Sequence, residues 1–211
     1  DGVPPAIGKL TKLKELDISD TYYFGALDGA VFENLTDLKY LNMEYNNYNS
    51  TIPSELARLP NLEYLYARDT FIEGGLDFMT LMPKIAELWL DDNPNIKGTI
   101  PSGIGNMKTL ASFGVANCGL TGTVPPEIGG ATGMLQMWLN DNELTGSIPP
   151  ELSKMTIMES LSIQNNELKG EMPKEVCSKT RPFGNLEELG ADCDGPITCA
   201  DECCTCCGEQ C

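Results

Sequence analysis

The chain has 211 residues, with 31 acidic side chains against 14 basic ones, no His, and a net charge of −17. That charge repels phosphate backbones and anionic lipid, which excludes nucleic acid and direct membrane insertion and leaves cations, basic proteins and neutral glycans as partners. It also keeps a folded chain soluble. No apolar run is long enough to cross a bilayer, and no initiator Met or charged-then-apolar leader opens the chain, as in a processed or recombinant form.

Residues 1–12 (DGVPPAIGKLTK) read as the end of a repeat whose strand is missing. Full units then begin at Leu13, Leu38, Leu62, Ile85, Leu110, Met134 and Met158. The sixth shows the frame most clearly: Met134, Met137 and Leu139, then Asn142, Leu144, Gly146, Ile148 and Pro149. In the fifth, Cys118 stands where the second, fourth, sixth and seventh place Asn. A period of about 24 residues carrying L-x-x-L-x-L-x-x-N/C-x-L identifies the pattern as a leucine-rich repeat. It predicts an α/β repeat solenoid: an arc with a parallel β-sheet on its concave face and short 3-10 or α turns and loops on its convex face. One repeat cannot bury its own leucines, so residues 1–176 form a single elongated unit.

The Asn at the ninth position is expected to bond backbone groups where the chain leaves the sheet, and Cys118 to be a buried structural thiol. The first and third units depart from the frame, with Thr21 and Thr70 replacing the Asn and Asp28 and Asp77 replacing the Pro. Looser convex loops are expected there.

Leu186, Leu189 and Ala191 open an eighth unit before cysteines dominate. Cys177, Cys193, Cys199, Cys203, Cys204, Cys206, Cys207 and Cys211 make residues 177–211 a disulfide-rich C-terminal cap. A zinc knuckle is the rival, from the C-C-x-C-C run at 203–207, but no His is available to it. Disulfides need an oxidising compartment, and the sequons at Asn34 and Asn49 agree with secretion to the cell surface or matrix.

The segments 38–61 and 85–176, with N-x-L-x-G-x-I-P, resemble the plant-type subfamily of leucine-rich repeats. That subfamily forms ectodomains of plant receptor kinases and secreted inhibitors of fungal polygalacturonases. The cysteine-dense tail departs from it and looks more like secreted repeat proteins of diatoms and related algae. The resemblance implies recognition, adhesion or matrix roles and no catalytic residues.

On the concave face, one outward column runs Asp17, Asn42, Tyr66, Trp89, Gly114, Trp138, Ser162, and its neighbour carries Tyr40 and Tyr64. Two strand spacings would set the two Trp about 10 Å apart with a notch between. Exposed aromatics beside Asp and Asn suit a protein or glycan ligand, although aromatic pairs also stabilise sheets without one. The expected contact residues are Tyr40, Tyr64, Tyr66, Trp89, Asp91, Asp92, Trp138, Asn140 and Asp141. An acidic row of Asp20, Asp69, Asp92 and Asp141 makes calcium a candidate, but Tyr45, Arg68 and Asn117 interrupt it and a solvated face explains it better. The flank carries Thr51, Thr99, Thr123 and Ser147, which suit ice binding or, more simply, a short second strand.

No catalytic triad, phosphate loop or metal constellation is present, so an enzyme is not expected. The expected function is extracellular, non-catalytic recognition or adhesion. The alternative is a structural protein that stacks head-to-tail into fibres or matrix through its uncapped first repeat.

Overall fold

The computed structural model describes residues 2–180, 184–192, 197–199, 203–204 and the backbone of 206–207. Among these, the concave face is a nine-stranded parallel sheet that runs in chain order from Glu15–Asp17 to Cys206–Cys207. Its register superposes the inward residue of every unit: Leu16, Leu41, Leu65, Leu88, Phe113, Met137, Leu161 and Leu189. From Leu41 onward each of these is fully buried. Burying one such side chain is worth about 1.5–3 kcal/mol, and the stacked neighbour supplies the apolar surface that a lone unit lacks.

A second parallel sheet runs along the flank, built from Lys97–Gly98, Gly119–Thr123, Glu143–Gly146 and Glu167–Leu168. The glycine of G-x-I-P lets the chain turn off this strand, as at Gly146 with φ of 83°. Pro then pre-sets the backbone for the short 3-10 helices of the convex side, such as Pro126–Gly130 and Pro150–Lys154.

Asn at the ninth position stitches one repeat to the one before. Asn142 Nδ2 donates to Leu139 O (3.1 Å) in its own repeat and to Val115 O (2.8 Å) in the previous one, while its Oδ1 accepts the Leu120 N–H (3.0 Å). Asn46, Asn93 and Asn166 bond in the same way. Thr21 and Thr70 keep half of this arrangement, because their hydroxyls donate to Ile18 O (2.7 Å) and Ala67 O (2.8 Å).

Cys118 can stand in the ladder because of its neighbour. An extra residue in the fourth unit turns the Ile96 N–H onto Asn93 O (2.9 Å), so no side-chain acceptor is needed from the fifth. The expectation of loose convex loops in the first and third units needs correcting. Asp28 replaces Pro as an N-cap, its carboxylate accepting from Ala30 N (3.0 Å) at the start of the helical turn Gly29–Phe32. Asp77 opens a 3-10 turn, Asp77–Leu81.

The sheet continues past residue 176, since Glu188–Ala191 pairs with Ser160–Ser162 and then with Cys206–Cys207. Disulfides Cys177–Cys203 and Cys199–Cys204 tie this end together. The first spans a separation of 26 residues, a loop whose closure is worth about 3 kcal/mol in the chain-entropy account. Cys193 and Cys211 lie outside the described residues, as do the side chains of Cys206 and Cys207.

Candidate recognition groove on the concave face

The nine expected contact residues separate into two groups. Tyr40, Tyr64 and Tyr66 cluster over the second and third repeats, with Tyr40 edge-on to Tyr66 at 5.4 Å between centroids and 6.4 Å from Tyr64. The Tyr66 hydroxyl donates to Glu87 Oε2 (2.8 Å); burial, then this carboxylate, raise its pKa. Trp89 Nε1 donates to the same oxygen at 3.2 Å. These tyrosines are committed to one another and to Glu87.

The expected 10 Å notch between the tryptophans is absent. Trp89 and Trp138 lean toward each other over Gly114 until their centroids are 4.6 Å apart. A Cβ at Gly114 would overlap Trp89 Cε3 and come within 2.6 Å of Asp91 Oδ2. Trp89 is left 6% exposed, so only Trp138 presents an accessible ring.

Arg68 closes the other side. Its guanidinium lies 4.3 Å from the Trp89 ring and 5.8 Å from Trp138, and Nε reaches Asp91 Oδ2 (3.1 Å) and Glu44 Oε1 (3.5 Å). Burial raises the pKa of both carboxyls, and Arg68 partly offsets it. Asp91 also accepts the Ala116 N–H at 2.8 Å, which fixes the pair relative to the next strand.

Beyond Trp138 the concave surface opens into a groove of about 650 Å³. Asp91, Asp92, Trp138, Asn140 and Asp141 of the expected set line it. Its other walls, Arg68, Ala116, Asn117, Ser162, Gln164 and Glu188, were not among the expected contact residues. Small residues in the repeats on either side of Trp138, Ala116 and Ser162, are the signal that a depression lies there. Gln164 is 7% exposed, and its Oε1 has no hydrogen-bond partner among the described residues. A buried acceptor left unmade costs about 1–3 kcal/mol.

The acidic row has a backbone cause. Asp20, Tyr45, Asp69, Asp92, Asn117, Asp141 and Asn165 occupy one position of successive repeats, all with φ between 49° and 60°. Asp and Asn tolerate that left-handed conformation better than other side chains. Asn117 donates to Asp92 Oδ1 (2.8 Å) and Asn165 to Asp141 Oδ1 (2.7 Å), and among the described residues no three acidic or Cys side chains converge. Tyr45 breaks this rule. Together with Tyr22, Phe24 and Phe71 it forms an exposed aromatic patch on the flank that the sequence reading did not find. The sequon residues Asn34 and Asn49 and the row Thr51, Thr99, Thr123 and Ser147 are all exposed.

Residues 11–71 and 135–155 match the leucine-rich-repeat family. Receptor-like protein 52 of Arabidopsis thaliana is 41% identical over 69 residues, 32% of this chain and 8% of that protein. Receptor-like protein 24 of the same plant is 40% identical over 57 residues, 26% and 6% of the respective lengths. Among solved structures, the ectodomain of the Arabidopsis receptor kinase HAESA superposes with a TM-score of 0.79 at 29% identity, over 90% of this chain and 32% of its own. The chain has the leucine-rich-repeat fold, and over these segments it is similar to plant-type leucine-rich-repeat proteins. It spans less than a tenth of the curated relatives and about a third of the HAESA ectodomain. The disulfides at the C-terminal end fit an oxidising, extracellular or cell-surface environment.

Proposed function

We propose that this leucine-rich-repeat array recognises a peptide or protein partner on its concave face, in the groove beside Trp138. The observation that carries the reading is the groove itself. One accessible indole lines it together with the small residues Ala116 and Ser162 and the polar Asn117, Asn140 and Asp141, a mix that suits an extended chain. Rigid aromatic anchors ringed by polar groups are how protein surfaces concentrate binding energy. The HAESA ectodomain, similar over most of this chain, was solved with a peptide hormone ligand, which supports a peptide here. A glycan would use the same ring face. In this reading residues 177–211 cap the array, Asn34 and Asn49 carry glycans, and the protein is secreted or displayed at the cell surface.

The test is selection of a displayed random-peptide library on the wild-type protein, followed by affinity measurements on variants. Trp138→Ala and Asn140→Ala should weaken selected peptides about tenfold or more, and Glu127→Lys on the convex side should not. Peptides bound equally by all three variants would refute the reading, and failure to select peptides with capture of glycans on an array would redirect it to sugars.

A further inference from the structure

We infer that the groove is selective for cationic ligands: an extended peptide segment whose Arg or Lys side chains meet Asp92, Asp141 and Glu188 while a ligand donor reaches Gln164. The inference rests on the concave-face reading and adds the ligand's chemistry to it.

Four carboxylates line the groove against a single cation, Arg68. Arg68 is spent, because it bridges Glu44 and Asp91 and covers Trp89. The other three accept neutral donors. Asp92 is bonded by Asn117, Asp141 by Asn140 and Asn165, and Glu188 by Ser160. Among the described residues none of the three has a cationic partner. An ionised carboxylate offers about four acceptor sites, so each can still take charge-assisted bonds.

Gln164 is independent of that charge pattern. Its carboxamide lines the groove between Ser162 and Glu188, more than nine-tenths buried, with Oε1 unpartnered. Protein interiors rarely leave such an acceptor empty, and a donor-rich ligand would fill it once the carboxamide turns toward the groove.

The molecule also carries its own template. A guanidinium already rests on this indole pair with two carboxylates at its edge, in the form of Arg68. Trp138 lines the groove together with Asp141 and Glu188, a second grouping of indole and carboxylates. An anionic segment would meet three like charges there and the field of a chain at −17.

The probe is an acetylated, amidated Arg-Gly repeat hexapeptide, compared by calorimetry with its Gln-Gly and Glu-Gly counterparts at about 0.15 M salt, where exposed charges are screened beyond about 8 Å. The groove variant is Asp92→Asn/Asp141→Asn/Glu188→Gln. Its Asn residues suit the left-handed backbone, as Asn117 and Asn165 already do in that column. The control, Glu127→Gln/Glu143→Gln/Glu167→Gln, removes equal charge from exposed sites outside the groove.

The Arg peptide should bind about tenfold tighter than the Gln peptide. The groove variant should lose that margin and the control keep it, and Gln164→Leu should weaken binding severalfold while leaving the fold as stable or more so, since it removes an unpaired buried acceptor. Equal weakening in groove variant and control would mean diffuse attraction and overturn the inference, as would equal affinity for Arg and Gln peptides. If library-selected peptides lose affinity in Trp138→Ala but not in the groove variant, concave recognition survives and cation selectivity falls. If they respond to neither, both fall.

Discussion

Trp89 and Trp138 stand on strands separated by a third, yet their ring centroids lie 4.6 Å apart because Gly114 between them has no side chain. That glycine converts two exposed indoles into one buried and one accessible ring. Gly114→Ala would push the rings apart and crowd Asp91, and should cost about 1–3 kcal/mol in urea denaturation and change the Trp emission. Unchanged stability and emission would show that the rings are not held by that contact.

The asparagine ladder predicts unequal costs at equivalent positions. Asn142→Ala leaves the Leu120 N–H and the Val115 and Leu139 carbonyls without their partner, and should lose about 2–3 kcal/mol. Cys118→Ala should lose less than about 1 kcal/mol, since Ile96 is already satisfied by Asn93. Chemical denaturation of the two variants side by side checks the ranking.

Two tyrosines carry local costs that substitutions should remove. Tyr48 is fully buried with no partner for its hydroxyl among the described residues, so Tyr48→Phe should gain about 1 kcal/mol. Tyr45 holds a bulky side chain at φ of 57° where its equivalents are Asp or Asn, so Tyr45→Asn should gain about 1 kcal/mol. Thermal or urea unfolding measures both.

Much of this fold was legible in the sequence, because an apolar residue at each inward position and Asn, Thr or Cys at each turn repeat one physical requirement in seven units. The concave site was legible only in part. Trp138, Asn140 and Asp141 line the groove as the alternation of strand residues implies, but alternation cannot tell how far a ring leans, so Trp89 turned out to be buried. Gln164 and Glu188 join the groove from adjacent repeats, and Glu188 belongs to the eighth unit that the cysteines obscure in the sequence. The aromatic patch at Tyr22 and Phe71 escaped notice because a left-handed backbone at a bulky residue leaves no mark in hydropathy.

Cys118 is partly buried rather than buried as expected, and this desolvation pushes its thiol from its ordinary value of 9.0 up to about 12. The folded state therefore holds its proton where the unfolded state releases it. The resulting stability is fully present below about pH 8.5 and is lost as pH rises toward the folded value, at up to about 1.4 kcal/mol per unit. Wild type should thus fall relative to Cys118→Val above about pH 9, and the native thiol should resist a thiol-specific disulfide reagent near pH 8. A flat difference between the two proteins across this range would contradict the burial.

Concave recognition is tested most directly by the fluorescence of Trp138 itself. The chain has two Trp, so Trp89→Phe leaves Trp138 as the sole reporter in the groove. Titrating a library-selected peptide into this variant should give a saturable emission change at the same Kd that calorimetry reports. Binding by calorimetry with no change in Trp138 emission would place the ligand elsewhere on the molecule and contradict the account.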